Sequence, residues 1–277
     1  MTGRGLSFIG FSDEERKNIE YVISDVDDTI TKNGKLYPLV LDAMYRLKMS
    51  GRTIVLVTGG STGWGDAYIR QWPVDAVICE SGAVMLCHDR AGGITSIINP
   101  VIKKDEVMEK RRALIERTAP YPFSSDQCAR VFDIAYDKAM MTDGEIRTLK
   151  NILSAHGANS AESSIHINAW FGTYNKKSAL KFFMEKCLSI KEGEYLKKSI
   201  YLGDSFNDQP LFRYIPVSIG MHTVEERRDG FEYLPLYITT GTSGDGWVEV
   251  VNALVEGRED DGEEEEENTE ESEEKNN

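Results

Sequence analysis

Short apolar runs alternate along this chain with longer stretches of helical period. Strand-like runs fall at Tyr21–Ser24, Thr53–Thr58, Ala76–Cys79, Ser199–Leu202 and Val217–Ile219. Helical runs include Leu39–Met49, with Gly51 as its stop signal, and Ser178–Leu188. Strands that alternate with helices predict a parallel sheet joined by right-handed crossovers.

Between Ala83 and Thr173 the pattern changes. Ala83–Cys87 and Ile94–Ile98 flank the turn Asp89…Gly92-Gly93 as a hairpin. Glu106–Thr118 and Gly144–His156 read as helices, Arg130–Tyr136 as an alternating strand and Ser164–Asn168 as a strand. This describes a small α+β insert of about 90 residues, a usual size for a separate module. The expected fold class is α/β, a Rossmann-like parallel sheet core (residues 1–83 and 174–256) with an inserted α+β cap domain (residues 84–173).

The chemistry-bearing residues gather where the core strands end. Tyr21-Val22-Ile23-Ser24 leads directly into Asp25-Val26-Asp27-Asp28-Thr29. An apolar strand ending this way sets two acids at the C-terminal edge of a sheet, where open α/β folds bind ligands. Asp25 and Asp27 are then close enough to share a divalent cation and a phosphate, one acid attacking phosphorus while the other manages protons. A calcium loop would need Gly and Glu where Ile30 and Leu36 stand, and a helix rather than a strand before it. The strand Thr53–Thr58 runs into Gly59-Gly60-Ser61, a hydroxyl followed by bare backbone amides suited to cradling phosphate oxygens. This is no Walker loop, because Asp66 occupies the position that requires Lys, and the dinucleotide glycine pattern fails at Tyr68. Further on, Asn175-Lys176-Lys177-Ser178 places cations at a helix start, and the strand Ser199–Leu202 runs into Gly203-Asp204-Ser205-Phe206-Asn207-Asp208.

Asp-x-Asp-x-Thr, strand-Thr, Lys and Gly-Asp-x-x-Asn-Asp in this order resemble the haloacid dehalogenase superfamily of phosphohydrolases. Val77-Ile78-Cys79-Glu80-Ser81-Gly82-Ala83 is similar to the stretch entering the cap in its branch of Cof-type, sucrose-phosphate, phosphomannomutase and mannosyl-phosphoglycerate phosphatases, with Ser81 in place of the usual Asn. The resemblance spans about residues 20–254. It implies that Asp25 is the nucleophile, forming an aspartyl-phosphate, and that Asp27 is the general acid/base. It implies that Thr58 and the Gly59 amide hold phosphate oxygens and that Asn207 orients the phosphate. Asp204 and Asp208 would bind Mg²⁺ together with Asp25 and the Asp27 carbonyl. Alignment on Ala179-Leu180 puts Lys176, rather than Lys177, at the position that neutralises the nucleophile and the transferring group. Mg²⁺ suits such a set because it accepts a few carboxylate oxygens plus substrate and water.

Composition narrows the setting. The 277 residues are 40% hydrophobic, enough for a substantial core, and carry a formal charge of −14. From Glu259 onward there are 12 acids and one lysine, a net −11, which leaves −14 − (−11) = −3 for the body. The tail 257–277 is expected to be disordered. Without a basic stripe, nucleic-acid binding has no support. Cys79, Cys87, Cys128 and Cys187 are scattered, with no Cys-x-x-Cys, and no 18-residue apolar stretch or export signal is present. No membrane association and a cytoplasmic location are therefore expected; the oligomeric state is not readable.

The leading expectation is a Mg²⁺-dependent phosphatase acting on a small-molecule phosphorylated substrate, with sugar phosphates the first class to test. A phosphomutase of the same superfamily and a non-catalytic binding protein are the alternatives. The superfamily's ion pumps lack an acid at the Asp27 position and need membrane spans. Discrimination between leaving groups would fall to the insert, where Arg130, His166, Asn168, Trp170 and Phe171 are candidates.

Overall fold

The computed structural model describes residues 4–256. Its strands are β1 (Leu6–Ser7), β2 (Tyr21–Ser24), β3 (Thr53–Val57), β4 (Ala76–Cys79), β5 (Val84–His88), β6 (Ile94–Ile98), β7 (Ile134–Asp137), β8 (Asn159–Glu162), β9 (His166–Trp170), β10 (Ser199–Gly203), β11 (Val217–Gly220) and β12 (Tyr237–Ile238). One large sheet runs in the order β1-β12-β11-β10-β2-β3-β4-β5-β6. Its pairings are parallel from β1 through β4. This is the mixed α/β architecture, with a mostly parallel central sheet, that the alternating pattern predicts.

The apolar strands supply two cores because their side chains alternate across the sheet. Val22, Ile54, Leu56, Val77 and Leu202 face one layer, with helices α2 (Pro38–Met49) and α3 (Thr62–Gln71), which follow the short α1 (Asp13–Lys17), and with the final helix, residues 243–256. Ile23, Val55, Val57, Ile78 and Tyr201 face the other, where Ala179 and Leu180 of the helix Lys176–Phe182 pack. Burial on both faces is what makes these strands read as unbroken apolar runs.

The hairpin β5–β6, which the sequence reading placed in the insert, instead extends the main sheet. β5 pairs antiparallel with β4, and β6 with β5. Cys79↔Val84 register forces a tight reversal, and Glu80, Ser81 and Gly82 all take positive φ to make it (49°, 56° and 112°). A separate three-stranded antiparallel sheet, β7-β9-β8, follows in the chain. Helix Asp143–Ala155 packs on β8, and helix Lys104–Arg117 ties to the segment leading into β7 through Arg111, whose guanidinium donates to the Asp133 carbonyl at 3.0 Å.

Several local expectations shift. The strand expected over Arg130–Tyr136 narrows to Ile134–Asp137, because the N–H groups of Val131, Phe132 and Asp133 donate to the Glu80 carboxylate instead of to a neighbouring strand. The strand expected at Ser164–Asn168 begins at His166, and its partner β8 carries too few apolar residues to show a period. The helix expected over Ser178–Leu188 starts at Lys176 and passes into a π-helical turn at Phe183–Cys187. The acidic stretch 257–277 lies outside the described residues. No helix among the described residues is long and apolar enough to cross a membrane.

Helix α3 lies unusually close to β4, and Gly65 is the reason. A Cβ there would collide with the Cys79 thiol and crowd Leu86 and Val77 at 3.3 and 3.4 Å. Gly65→Ala is expected to destabilise the fold by about 1–3 kcal/mol through overpacking. Chemical denaturation checks this, and Cys79→Ala in the same chain should recover part of the loss in a double-mutant cycle.

Candidate active site

Three neighbouring parallel strands deliver the site. β10, β2 and β3 lie side by side, and the connections leave β2 and β10 toward opposite sides of the sheet. Such a switch in strand order opens a crevice at the carboxyl ends. Asp25 continues β2, its N–H donating to the Leu202 carbonyl at 2.9 Å. Thr58 continues β3, its N–H bonded to Ile78 O at 2.8 Å. Asp204 follows β10 directly, and Thr29 donates its hydroxyl to Asp204 Oδ1 at 3.2 Å.

Asp25, Asp204 and Asp208 converge there: one carboxylate oxygen of each lies within 4.8 Å of the others, and all three residues are buried. Asp208 is bonded from both sides. Its Oδ2 accepts the Asp204 and Ser205 N–H groups at 3.0 and 3.1 Å, while Tyr201 donates its hydroxyl to Oδ1 at 2.6 Å. Lys176 Nζ donates to Asp25 Oδ1 at 2.7 Å and Asp208 Oδ1 at 3.1 Å, and lies 3.5 Å from Asn207 Oδ1. Lys176 is the first residue of its helix, N-capped by Asn175. A cation there opposes the helix dipole, so its retention depends on the acids it faces. Gly82 allows the approach, since a Cβ would meet the Asn175 carbonyl at 2.7 Å.

Electrostatics follow from crowding. Burial raises Asp25 to about 7, and Asp208 and Asp27 add to the rise against the pull of Lys176. Asp204 is pushed well above the ordinary range by burial, then by Asp208 and Asp25. Asp27, half-buried, is raised to about 6 by burial and by Asp28. Lys176 is shifted upward by Asp208 and Asp25, which outweigh the effect of its own burial. Three buried carboxylates against one ammonium form an all-oxygen set with excess negative charge. A hard divalent cation fits that donor chemistry.

The glycine loop after β3 is held from both ends. Thr58 Oγ1 accepts from Gly60 N–H at 2.8 Å. The Gly59 carbonyl accepts from Arg130 Nη1 at 2.9 Å and Asn168 Nδ2 at 2.8 Å. Arg130 also pairs with Asp126 and Asp133, each at 2.9 Å, and Asn168 donates to Asp133 Oδ2 at 3.0 Å. Both residues are buried, so they hold the insert against the loop instead of facing a substrate, contrary to the sequence expectation. Trp170 and Phe171 are buried as well, with Trp170 Nε1 donating to the Tyr174 carbonyl at 3.0 Å. His166 alone of these five lines the cavity, about 410 Å³, that opens beside Asp27 and Gly60.

Glu80 is a tie that sequence reasoning missed. It is fully buried, and its carboxylate accepts from the N–H groups of Val131, Phe132 and Asp133 at 2.8, 2.7 and 3.0 Å. Thr62 adds its N–H at 3.1 Å and its hydroxyl at 2.6 Å. These bonds offset the cost of its positive φ. An acid inside the apolar run Ala76–Ala83 was the available signal. Trp64, Tyr68 and Trp72 were missed too, although their four-residue spacing was legible; all three line the cavity.

No protein-family model matches the chain, and no curated protein sequence matches it. Solved structures do. Protein 0175 of Thermoplasma acidophilum superposes with a TM-score of 0.66 at 14% identity, covering 85% of this chain and 98% of that one. A HAD/COF-like hydrolase from Plasmodium vivax gives 0.63 at 13% identity, covering 90% and 99%. A phosphatase of the haloalkanoate (HAD) enzyme superfamily from Bacteroides thetaiotaomicron gives 0.57 at 17% identity, covering 85% and 95%. The chain therefore has the fold of haloacid dehalogenase-like hydrolases.

The crowded carboxylates make a signed prediction. Asp25 titrates near 7 in the fold against an ordinary 3.8, so its protonated form is favoured by folding. Metal-free protein should lose stability as pH rises from about 4 through about 7. Mg²⁺ should relieve that loss, raising Tm more at pH 8 than at pH 5. Equal Tm shifts at both pH values would argue against a cation bound by these carboxylates.

Proposed function

We propose that the protein is a Mg²⁺-dependent phosphatase that hydrolyses a small-molecule phosphomonoester, with sugar phosphates the first class to test. The observation that carries this reading is the contact of Lys176 with both Asp25 and Asp208, at 2.7 and 3.1 Å, beside a half-buried Asp27 that opens on a cavity. Phosphoryl transfer asks mainly for positioning and charge neutralisation, and that arrangement supplies both. The superfamily phosphatase from Bacteroides thetaiotaomicron, similar in fold, supports the same class.

Asp25, Asp204, Asp208 and the Asp27 carbonyl would hold the cation, which when bound screens the phosphate charge from the acids. Asp25 attacks phosphorus, and the bond to the leaving oxygen breaks as an aspartyl-phosphate forms. Asp27, raised to about 6, gives its proton to that oxygen. As a carboxylate it then takes a proton from a water attacking the phosphoryl group, which restores Asp25 and releases phosphate. Thr58 and the Gly59 amide hold phosphate oxygens, Asn207 orients them, and Lys176 balances the charge on Asp25 and the transferring group. The insert would act as the cap that excludes water.

Asp25→Asn keeps the shape but cannot form the acyl phosphate, so phosphate release should fall below about one thousandth of wild type. Activity within tenfold of wild type would remove Asp25 as nucleophile. Asp27→Asn should spare Mg²⁺ binding and lose most on poor leaving groups, which need protonation. A comparison of para-nitrophenyl phosphate with an alkyl phosphate checks this: equal losses on both would count against the acid role.

A further inference from the structure

The wall of the cavity beside Asp27 carries no part in the phosphoryl chemistry, yet it is highly ordered. Trp64, Tyr68 and the helix-capping Trp72 repeat at four-residue spacing along one side of α3, so their rings stack on one another. Trp64 and Tyr68 lie 5.8 Å apart with planes 18° from parallel, and Tyr68 and Trp72 lie 4.1 Å apart at 20°. The ladder ends at Trp64, one turn from Ser61, the N-cap that closes the Thr58-Gly59-Gly60 loop. Trp64 is 52% exposed, although its ring belongs to the stack and lines the cavity. Its neighbours restrict the ring before any ligand arrives, which lowers the entropy lost when a second flat surface covers it.

The charge of the cavity lining as a whole, Asp27 included, is restrictive. Asp27 and Asp126 line the cavity, and no lysine or arginine does. Arg130 offsets Asp126 from behind at 2.9 Å, leaving Asp27 without a cation on the wall. His166 is the remaining group there able to carry positive charge, and burial, with Arg130 nearby, pushes it toward the neutral form. Thr31, Gln71 and Ser125 add neutral hydrogen-bonding groups to the lining. A second phosphate or a carboxylate on the leaving group would meet two acids and no lysine or arginine among the residues that line this cavity.

From these two observations we infer that the leaving group is an uncharged, ring-bearing alcohol whose flat face stacks on Trp64 as the next layer of the Trp64–Tyr68–Trp72 ladder. This deepens the phosphatase reading and rests on it. A monosaccharide and a nucleoside share that chemistry, and the cavity of about 410 Å³ admits either. Binding energy gathered on the ladder, away from phosphorus, would orient the ester bond toward Asp25.

The test measures kcat/KM with Mg²⁺ for glucose 6-phosphate, adenosine 5′-monophosphate, glycerol 3-phosphate, fructose 6-phosphate and fructose 1,6-bisphosphate. At least one ring monoester should exceed acyclic glycerol 3-phosphate, and the two ring probes distinguish a sugar from a nucleoside. In Trp64→Ala the ratio of the better ring substrate to glycerol 3-phosphate should fall about tenfold, the scale of one aromatic stacking contact. Trp64→Phe, which keeps a flat ring, should restore most of it. Fructose 1,6-bisphosphate should be a poorer substrate than fructose 6-phosphate. A ratio that does not change in Trp64→Ala, or a preference for the bisphosphate, overturns the platform while leaving the phosphatase reading intact. Failure to release phosphate from any of these esters or from para-nitrophenyl phosphate overturns the phosphatase reading, and the platform with it.

Discussion

Three carboxylates buried beside one lysine repel one another, and much of the architecture around them acts to keep them in place. Asp25 and Asp204 cannot drift apart, because each extends or follows a central strand whose neighbours are hydrogen-bonded along their length. Asp208 is fixed by two backbone amides and the Tyr201 hydroxyl, so its charge is held by dipoles as well as by Lys176. The apolar layers above and below the sheet supply the rigidity this crowding needs. They also supply the low polarity that makes the charges strong.

How far the sequence revealed this site depended on how local each signal was. Asp25, Thr58 and Asp204 were legible because each stands where an apolar run stops, and the end of a strand in a parallel sheet is where chemistry collects. Lys176 was legible only through the order of the motifs, since a lysine at a helix start is common. Glu80 was not, because its partners at Val131, Phe132 and Asp133 lie far along the chain and use backbone atoms. Arg130 and Asn168 looked like specificity residues because polar side chains in an insert suggest a ligand. In the fold their partners are Asp126, Asp133 and a carbonyl, so the polarity serves packing.

The hairpin β5–β6 shows a second limit. Its run of apolar residues and its Gly92-Gly93 turn predicted the hairpin itself, but not the sheet it would join. The deciding feature is the reversal at Glu80-Ser81-Gly82, where three successive positive φ angles fold β5 back along β4. Nothing in the periodicity of either strand encodes that reversal. The aromatic ladder is the opposite case: its spacing was visible, and only the position of α3 against the cavity gave it meaning.

The Gly59 carbonyl ties the insert to the loop that follows β3. Two side chains of the insert, Arg130 and Asn168, end on this one oxygen. The insert is thus not an interchangeable lid. Replacing the insert with a module that lacks side chains equivalent to Arg130 and Asn168 would leave that partly buried carbonyl without its two donors. The insert and the glycine loop are therefore one interlocked contact, even though the chain writes them far apart.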